Sequence, residues 1–186
     1  QMLHPPGPSA GGSTLATQLE KYRHSPYGLT VAGGEKIRQM VSATVRAYQD
    51  GPQTLIARQN VVRDYLNSVP LSAVPGHGEV HGMAEGLRVW YGADFNTANK
   101  TLASDATDAK SLADKGLALR EMLSLMIAQR RPSHYLTKGR DELADLTDSH
   151  IRLLAQNGVI DAPFAAAALA SKVTYRDWAT QPTIQP

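Results

Sequence analysis

Ser13, Thr14, Gln18 and Lys21 are spaced so that hydroxyl, amide and ammonium groups run along one side of a short helix. Gly11 and Gly12 precede them, and Ser13 suits the N-cap, because its side-chain oxygen accepts from a backbone N–H two or three residues on. Leu15, Leu19 and Tyr22 take the other side. A polar stripe that begins at free N–H groups, in the positive end of the macrodipole, and ends in a cation suits an anionic group such as a phosphate. The same spacing also describes an ordinary capped helix with one wet face.

Other reactive side chains stand further along. His77-Gly78-Glu79-Val80-His81 places three potential ligands close together, but no fourth is evident and no metal site is expected. Glu79, in a glycine-rich stretch, is a candidate functional carboxylate; the competing reading is a hydrogen bond that braces its own loop. His24, His134 and His150 stand singly and read as packed or surface residues. Arg130-Arg131-Pro132 closes a helix, where cations complement the dipole. Tyr65-Leu66-Asn67 ends another, and the Asn67 amide either terminates the helix or orients a polar ligand.

Helices must position these groups. Residues 1–10, rich in Pro, Gly and Ser, read as an extended lead-in. A first helix is expected over 13–23, ending before Ser25-Pro26-Tyr27-Gly28. A second, over 34–49, has Ile37, Met40, Val41, Thr44, Val45 and Tyr48 as its buried side and Glu35, Gln39, Ser42 and Arg46 as a polar line. Asp50-Gly51-Pro52 stops it. A third, over 53–67, buries Leu55, Val61, Val62, Tyr65 and Leu66. Pro70 to Gly82 reads as an irregular loop, and such loops tend to carry function.

Helices follow over 82–91, 115–130 and 141–157, the last stopped by Gly158. Asn96 to Asp114 is weakly patterned and reads as a surface excursion. Asp161 caps a final helix reaching about Lys172, and 173–186 is a coil tail that docks. Alternating strand patterns are not evident, so the expected class is all-α. The domain division is 1–10, 11–172 and 173–186.

Composition narrows the partners. The 186 residues are enough for a real core, and 42% apolar with 19% charged is ordinary for a globular chain. A net charge of +2 permits an anionic partner without demanding one. Aromatic residues are few and not interleaved with basic runs, which argues against nucleic acid. The chain has no cysteine, which excludes disulfides, thiolate metal sites and a cysteine nucleophile. No apolar run approaches the roughly 18 residues of a membrane span. The opening Gln1-Met2-Leu3-His4 is not a natural start, so a fragment lacking its N-terminal portion is expected.

In order, these pieces resemble glycosyltransferase family 51, the peptidoglycan glycosyltransferases of class A penicillin-binding proteins and their monofunctional relatives. Gly11, Gly12, Ser13, Thr14, Leu15, Gln18 and Lys21 match the family's second motif. Glu35-Lys36-Ile37-Arg38-Gln39 stands where the third motif reads Arg-Lys-x-x-Glu, and Tyr65, Leu66 and Asn67 match the fourth. Trp90-Tyr91-Gly92 resembles the aromatic-aromatic-Gly element, and Leu119 to Tyr135 a Leu/Ala-rich helix ending in Pro-Ser-x-Tyr. The likeness spans roughly residues 10–160.

The resemblance implies an all-α, lysozyme-like fold and an enzyme, a peptidoglycan transglycosylase. Its substrate would be lipid II, a disaccharide-pentapeptide on undecaprenyl diphosphate, met in the periplasm at the outer face of the bacterial inner membrane. Ser13, Thr14, Gln18, Lys21 and Lys36 match positions that hold the diphosphate and sugar, and Tyr65 and Asn67 join the substrate-binding set. No resident cofactor is implied; a divalent metal such as Mg is expected at most alongside the substrate diphosphate. Partners would be the lipid-linked precursor or a glycan strand, with the membrane surface reached through the missing upstream segment.

Departures leave three functions open. The acidic first motif, with the base, would lie upstream of Gln1. Gln39 stands in place of the third motif's glutamate, and an amide cannot take up a proton at neutral pH. The late arginine pair is not evident at Leu146-Thr147-Asp148-Ser149. Gln39 and Glu79 are therefore the catalytic candidates of a glycosyltransferase whose upstream segment completes it. The alternatives are a non-catalytic binding or scaffold module, and a lysozyme-type peptidoglycan-cleaving enzyme using Glu79 or Glu85 with a raised pKa.

Overall fold

Asp94, Asp108 and Asp161 each start a helix, accepting from the backbone N–H of Thr97, Ser111 and Phe164 at 2.7, 3.1 and 2.8 Å. These caps fix much of the chain in a computed structural model that describes residues 16, 19, 20, 33–48 and 51–177, with the side chains of 33–36 outside the description. The chain divides into two units, Gln1–Tyr65 and Leu66–Pro186. Apart from one two-stranded hairpin the described residues are helical or irregular, so the class is all-α. No helix among them is long and apolar enough to cross a membrane.

In the first unit Ala16, Leu19 and Glu20 are helical, as expected, while the rest of that stretch lies outside the described residues. Helix α1 spans Gly33–Ala47 and α2 spans Leu55–Ser68, running on past the unit boundary. Both helices are where periodicity puts them. The orientation of α1 is the reverse of expectation. Gln39 and Ala43 are buried, while Ile37, Met40, Val41, Val45 and Tyr48 are exposed. On α2 only Tyr65 of the expected apolar side is buried; Leu55 and Val62 are exposed, with Ile56 beside them. Arg46 reaches Glu20 from the same side as Gln39 and Ala43, so that side of α1, and not the apolar one, packs inward.

In the second unit the stretch read as an irregular loop is an antiparallel hairpin, β1 (Pro70–Val74) against β2 (Gly78–His81). Its turn holds Pro75 and Gly76, and its inward side chains Leu71, Val74 and Val80 are buried. Gly82 follows with φ +75°, and a Cβ there would sit 2.4 Å from the Asn67 carbonyl oxygen, so only glycine joins hairpin to helix this closely. Helix α3 (Gly82–Gly86) continues into a π-helical turn, Leu87–Tyr91, which sends the Trp90 indole N–H to the Leu71 carbonyl at 2.9 Å.

Helix α4 (Phe95–Ala103) occupies the stretch expected to be a surface excursion, and α5 (Ala109–Ala128) begins earlier than its apolar period suggests. Polar first turns, held by the Asp94 and Asp108 caps, hide these starts from a hydrophobic pattern. Helix α5 is the central element, packed by α4, α6 (Arg140–Gln156) and α7 (Ala162–Ala170). Gly116 lets α7 come close, since a Cβ there would meet the Ala167 carbonyl carbon at 2.6 Å. Leu71, Leu87, Leu125, Leu136, Leu143 and Ile151 fill the core with no measurable exposure. Each such side chain contributes about 2 kcal/mol by leaving water. Gly158, at φ +67°, ends α6 as the sequence indicates. From Ser171 to Asp177 the chain has no helix or strand and docks through the Arg176 N–H on the Trp90 carbonyl at 2.8 Å.

Candidate functional site

The first unit contains a polar cavity of about 310 Å³ whose lining includes Glu20, Arg46, Asn60, Arg63 and Asp64. Glu20 is only 1% exposed, and Arg46 Nε holds its Oε1 at 2.8 Å. A buried carboxylate needs such a partner, since taking a charge out of water is costly. Gln39, 3% exposed, lies on the same face of α1 as Ala43 and Arg46, at helical spacings of four and three. Its amide supplies hydrogen bonds where a glutamate would supply a base. Ser13, Thr14, Gln18 and Lys21 lie outside the described residues; for Lys36 the backbone is in α1 and the side chain lies outside the description.

Tyr65 is buried near the end of α2, and Asn67 is exposed two residues on. Glu79 stands on β2, 82% exposed, with its Oε2 3.2 Å from His81 Nε2. Glu85, on α3 just after the hairpin, is the more engaged carboxylate. Its Oε2 accepts the His81 backbone N–H at 2.8 Å, and its Oε1 is 3.1 Å from His77 Nε2. The backbone N–H first, then the His77 contact and charge, hold its pKa below the usual value. That is the opposite of what a general acid requires. Among the described residues, no group of three His, Cys, Asp or Glu side chains could hold a metal ion.

Three charged residues, Lys115, Arg120 and Glu121, are buried on α5 against the pattern of its apolar residues. Glu121 is 8% exposed, and its carboxyl makes no hydrogen bond or ion pair with a described residue. Burial raises its pKa to about 7. Beside it, Ser124 Oγ donates to the Glu121 carbonyl oxygen, so in the 2.8 Å pair between Ser124 and Tyr91 the tyrosine hydroxyl donates. Arg120, also buried, sends Nη1 to the Ala168 carbonyl and holds Asp148 Oδ1, which has no hydrogen bond of its own, 2.6 Å from Nη2. A charged pair inside an otherwise Leu/Met-rich helix is the only sequence signal for these residues.

A family model described as transglycosylase matches residues 1–156. The chain belongs to the transglycosylase family. Comparisons with curated proteins and with solved structures give no match. The fold of this transglycosylase domain is the all-α, lysozyme-like one that the resemblance implied. Its function is accordingly peptidoglycan glycosyltransferase-like, and transglycosylase domains act on extracytoplasmic peptidoglycan. Where the late arginine pair is missing, the transglycosylase carries Thr147, buried and bonded to the Leu143 carbonyl at 2.7 Å. Asp148, next to it, is met by Arg120 from α5 at 2.6 Å and by Arg152 one turn further along α6 at 3.6 Å.

Proposed function

We propose that this domain binds a lipid II-type precursor, a disaccharide peptide on undecaprenyl diphosphate, and polymerises it when its upstream segment is present. The work would be done in the periplasm, at the outer face of the inner membrane. The observation that supports a lipid-linked substrate is the exposed apolar face formed by Ile37, Met40, Val41, Val45 and Tyr48. It belongs to the unit that also carries the Gly11–Lys21 stretch and Lys36. Contiguous apolar patches of this kind mark interaction surfaces, and a helix with one apolar face suits the boundary of a bilayer.

In this reading Ser13, Thr14, Gln18, Lys21 and Lys36 hold the diphosphate and its sugar, with Tyr65 and Asn67 completing the substrate set. The acceptor hydroxyl oxygen attacks the anomeric carbon, the bond to the diphosphate breaks, and the diphosphate leaves with the electron pair. Cations and helix N–H groups stabilise that leaving charge. The hydroxyl proton goes to a carboxylate, either in the upstream acidic motif or at Glu79, while Gln39 orients without accepting a proton. Incubating the protein, upstream segment included, with the precursor should yield glycan strands. No product together with no binding of precursor would end this reading.

The Gln39 amide favours a second reading, a precursor-binding module without turnover. Binding with no strands formed would establish it, and turnover abolished by one carboxylate substitution would refute it.

A further inference from the structure

A second cavity, of about 440 Å³, lies wholly within the second unit, between α5, α6 and the segment after α7. Charges of both signs line it over an apolar floor. Arg140 stacks its guanidinium on the Tyr175 ring, 4.0 Å from the centroid, and spends only Nε on the protein, donating to the Leu136 carbonyl at 3.2 Å. Its Nη atoms make no hydrogen bond to a described residue, so a planar donor edge is held in place and left available. Lys172 and Asp141 line the same space, and neither forms an ion pair or hydrogen bond among the described residues. Ala144 and Val173 supply the floor, and buried Arg120 closes one wall with its charge already met by Asp148.

A lone inorganic anion would answer the two available cations and leave Asp141 and the apolar floor unused. A ligand with a carboxylate, an amine and small apolar parts uses all three. We propose that this cavity binds a short peptide bearing a free carboxylate and a free amine, the carboxylate on Arg140 and Lys172 and the amine on Asp141. This rests on the reading of the domain as a handler of peptidoglycan precursor, whose peptide part carries that chemistry, and it adds a peptide subsite to it.

The test is titration of the chain with an N-acetylated pentapeptide that has one internal lysine and a free terminal carboxylate. Saturable binding is expected, weakened about tenfold when the terminus is amidated, when the lysine is acetylated, or in Arg140→Gln, as for loss of one charge-assisted contact. Lys172→Gln, at an exposed position where folding is not at stake, should weaken it several-fold. Asp141→Asn should abolish the preference for the free lysine. The absence of saturable peptide binding, or equal affinity in the wild type, Arg140→Gln and Lys172→Gln, overturns the proposal. Binding of inorganic phosphate without binding of the peptide also overturns it. Strand formation is not the readout, so a failed peptide subsite and a failed polymerase reading are told apart.

Discussion

Arg46 Nε lies 2.8 Å from Oε1 of Glu20, so α1 turns a charged side chain toward a carboxylate buried to 1% exposure while its valines and isoleucine meet solvent. The two partners are unequal, because the Arg46 side chain is 51% exposed. Arg46→Ala removes a cation beside a buried carboxylate that keeps its other contacts and is expected to cost about 2 kcal/mol. Glu20→Ala leaves an arginine that can reach water and should cost about 1 kcal/mol. Denaturant unfolding of the two variants checks the order; equal losses would show that the pair does not hold this face inward.

Glu121 gives stability an unusual pH dependence. Its folded pKa, about 7, lies above the ordinary 4.5, so the folded state holds the proton more tightly than the unfolded chain. The contribution is complete below about pH 4.5 and is lost as pH rises through 7, up to about 3 kcal/mol. Glu121→Gln should flatten this slope and melt above the wild type at pH 8. Identical pH slopes in the two proteins would place the carboxyl in water.

Gly116→Ala tests the approach of α5 to α7. The new Cβ would press on the Ala167–Ala168 backbone, with atoms at 2.6–2.8 Å that no side-chain rotation relieves. A loss of about 1–3 kcal/mol is expected from overpacking. Gly158→Ala makes a useful comparison, since no atom stands within 4 Å and only its positive φ is strained.

The triple variant Ile37→Gln, Val41→Gln, Val45→Gln should keep the fold, because surface changes usually stay within about 0.5 kcal/mol. Its binding to phospholipid vesicles should fall at least about tenfold, since three apolar side chains leave the lipid boundary. Unchanged vesicle binding would remove the membrane-facing role of α1.

Local chemistry made much of this fold legible. Asp161 and Gly158 act within a few residues, and the helix boundaries they announce are found. Helix α4 was hidden because Asn96, Thr97 and Asn99 carry no apolar period, although Asp94 caps it. The hairpin was hidden because Pro70, Pro75 and Gly76 read as loop residues while its pairing depends on the partner strand. Periodicity located the apolar side of α1 but not the medium it faces, which is a tertiary property. The same limit applies to Glu121, whose raised pKa comes from burial by other elements and not from its neighbours in sequence.

Precursor binding across ionic strength tests the diphosphate-gripping role of the Gly11–Lys21 stretch most directly. A lipid II-type precursor should bind the wild type, and Lys21→Ala should weaken it about fivefold to tenfold at low salt, a gap that narrows as screening grows. Equal affinities for the wild type and Lys21→Ala at every salt concentration would contradict it.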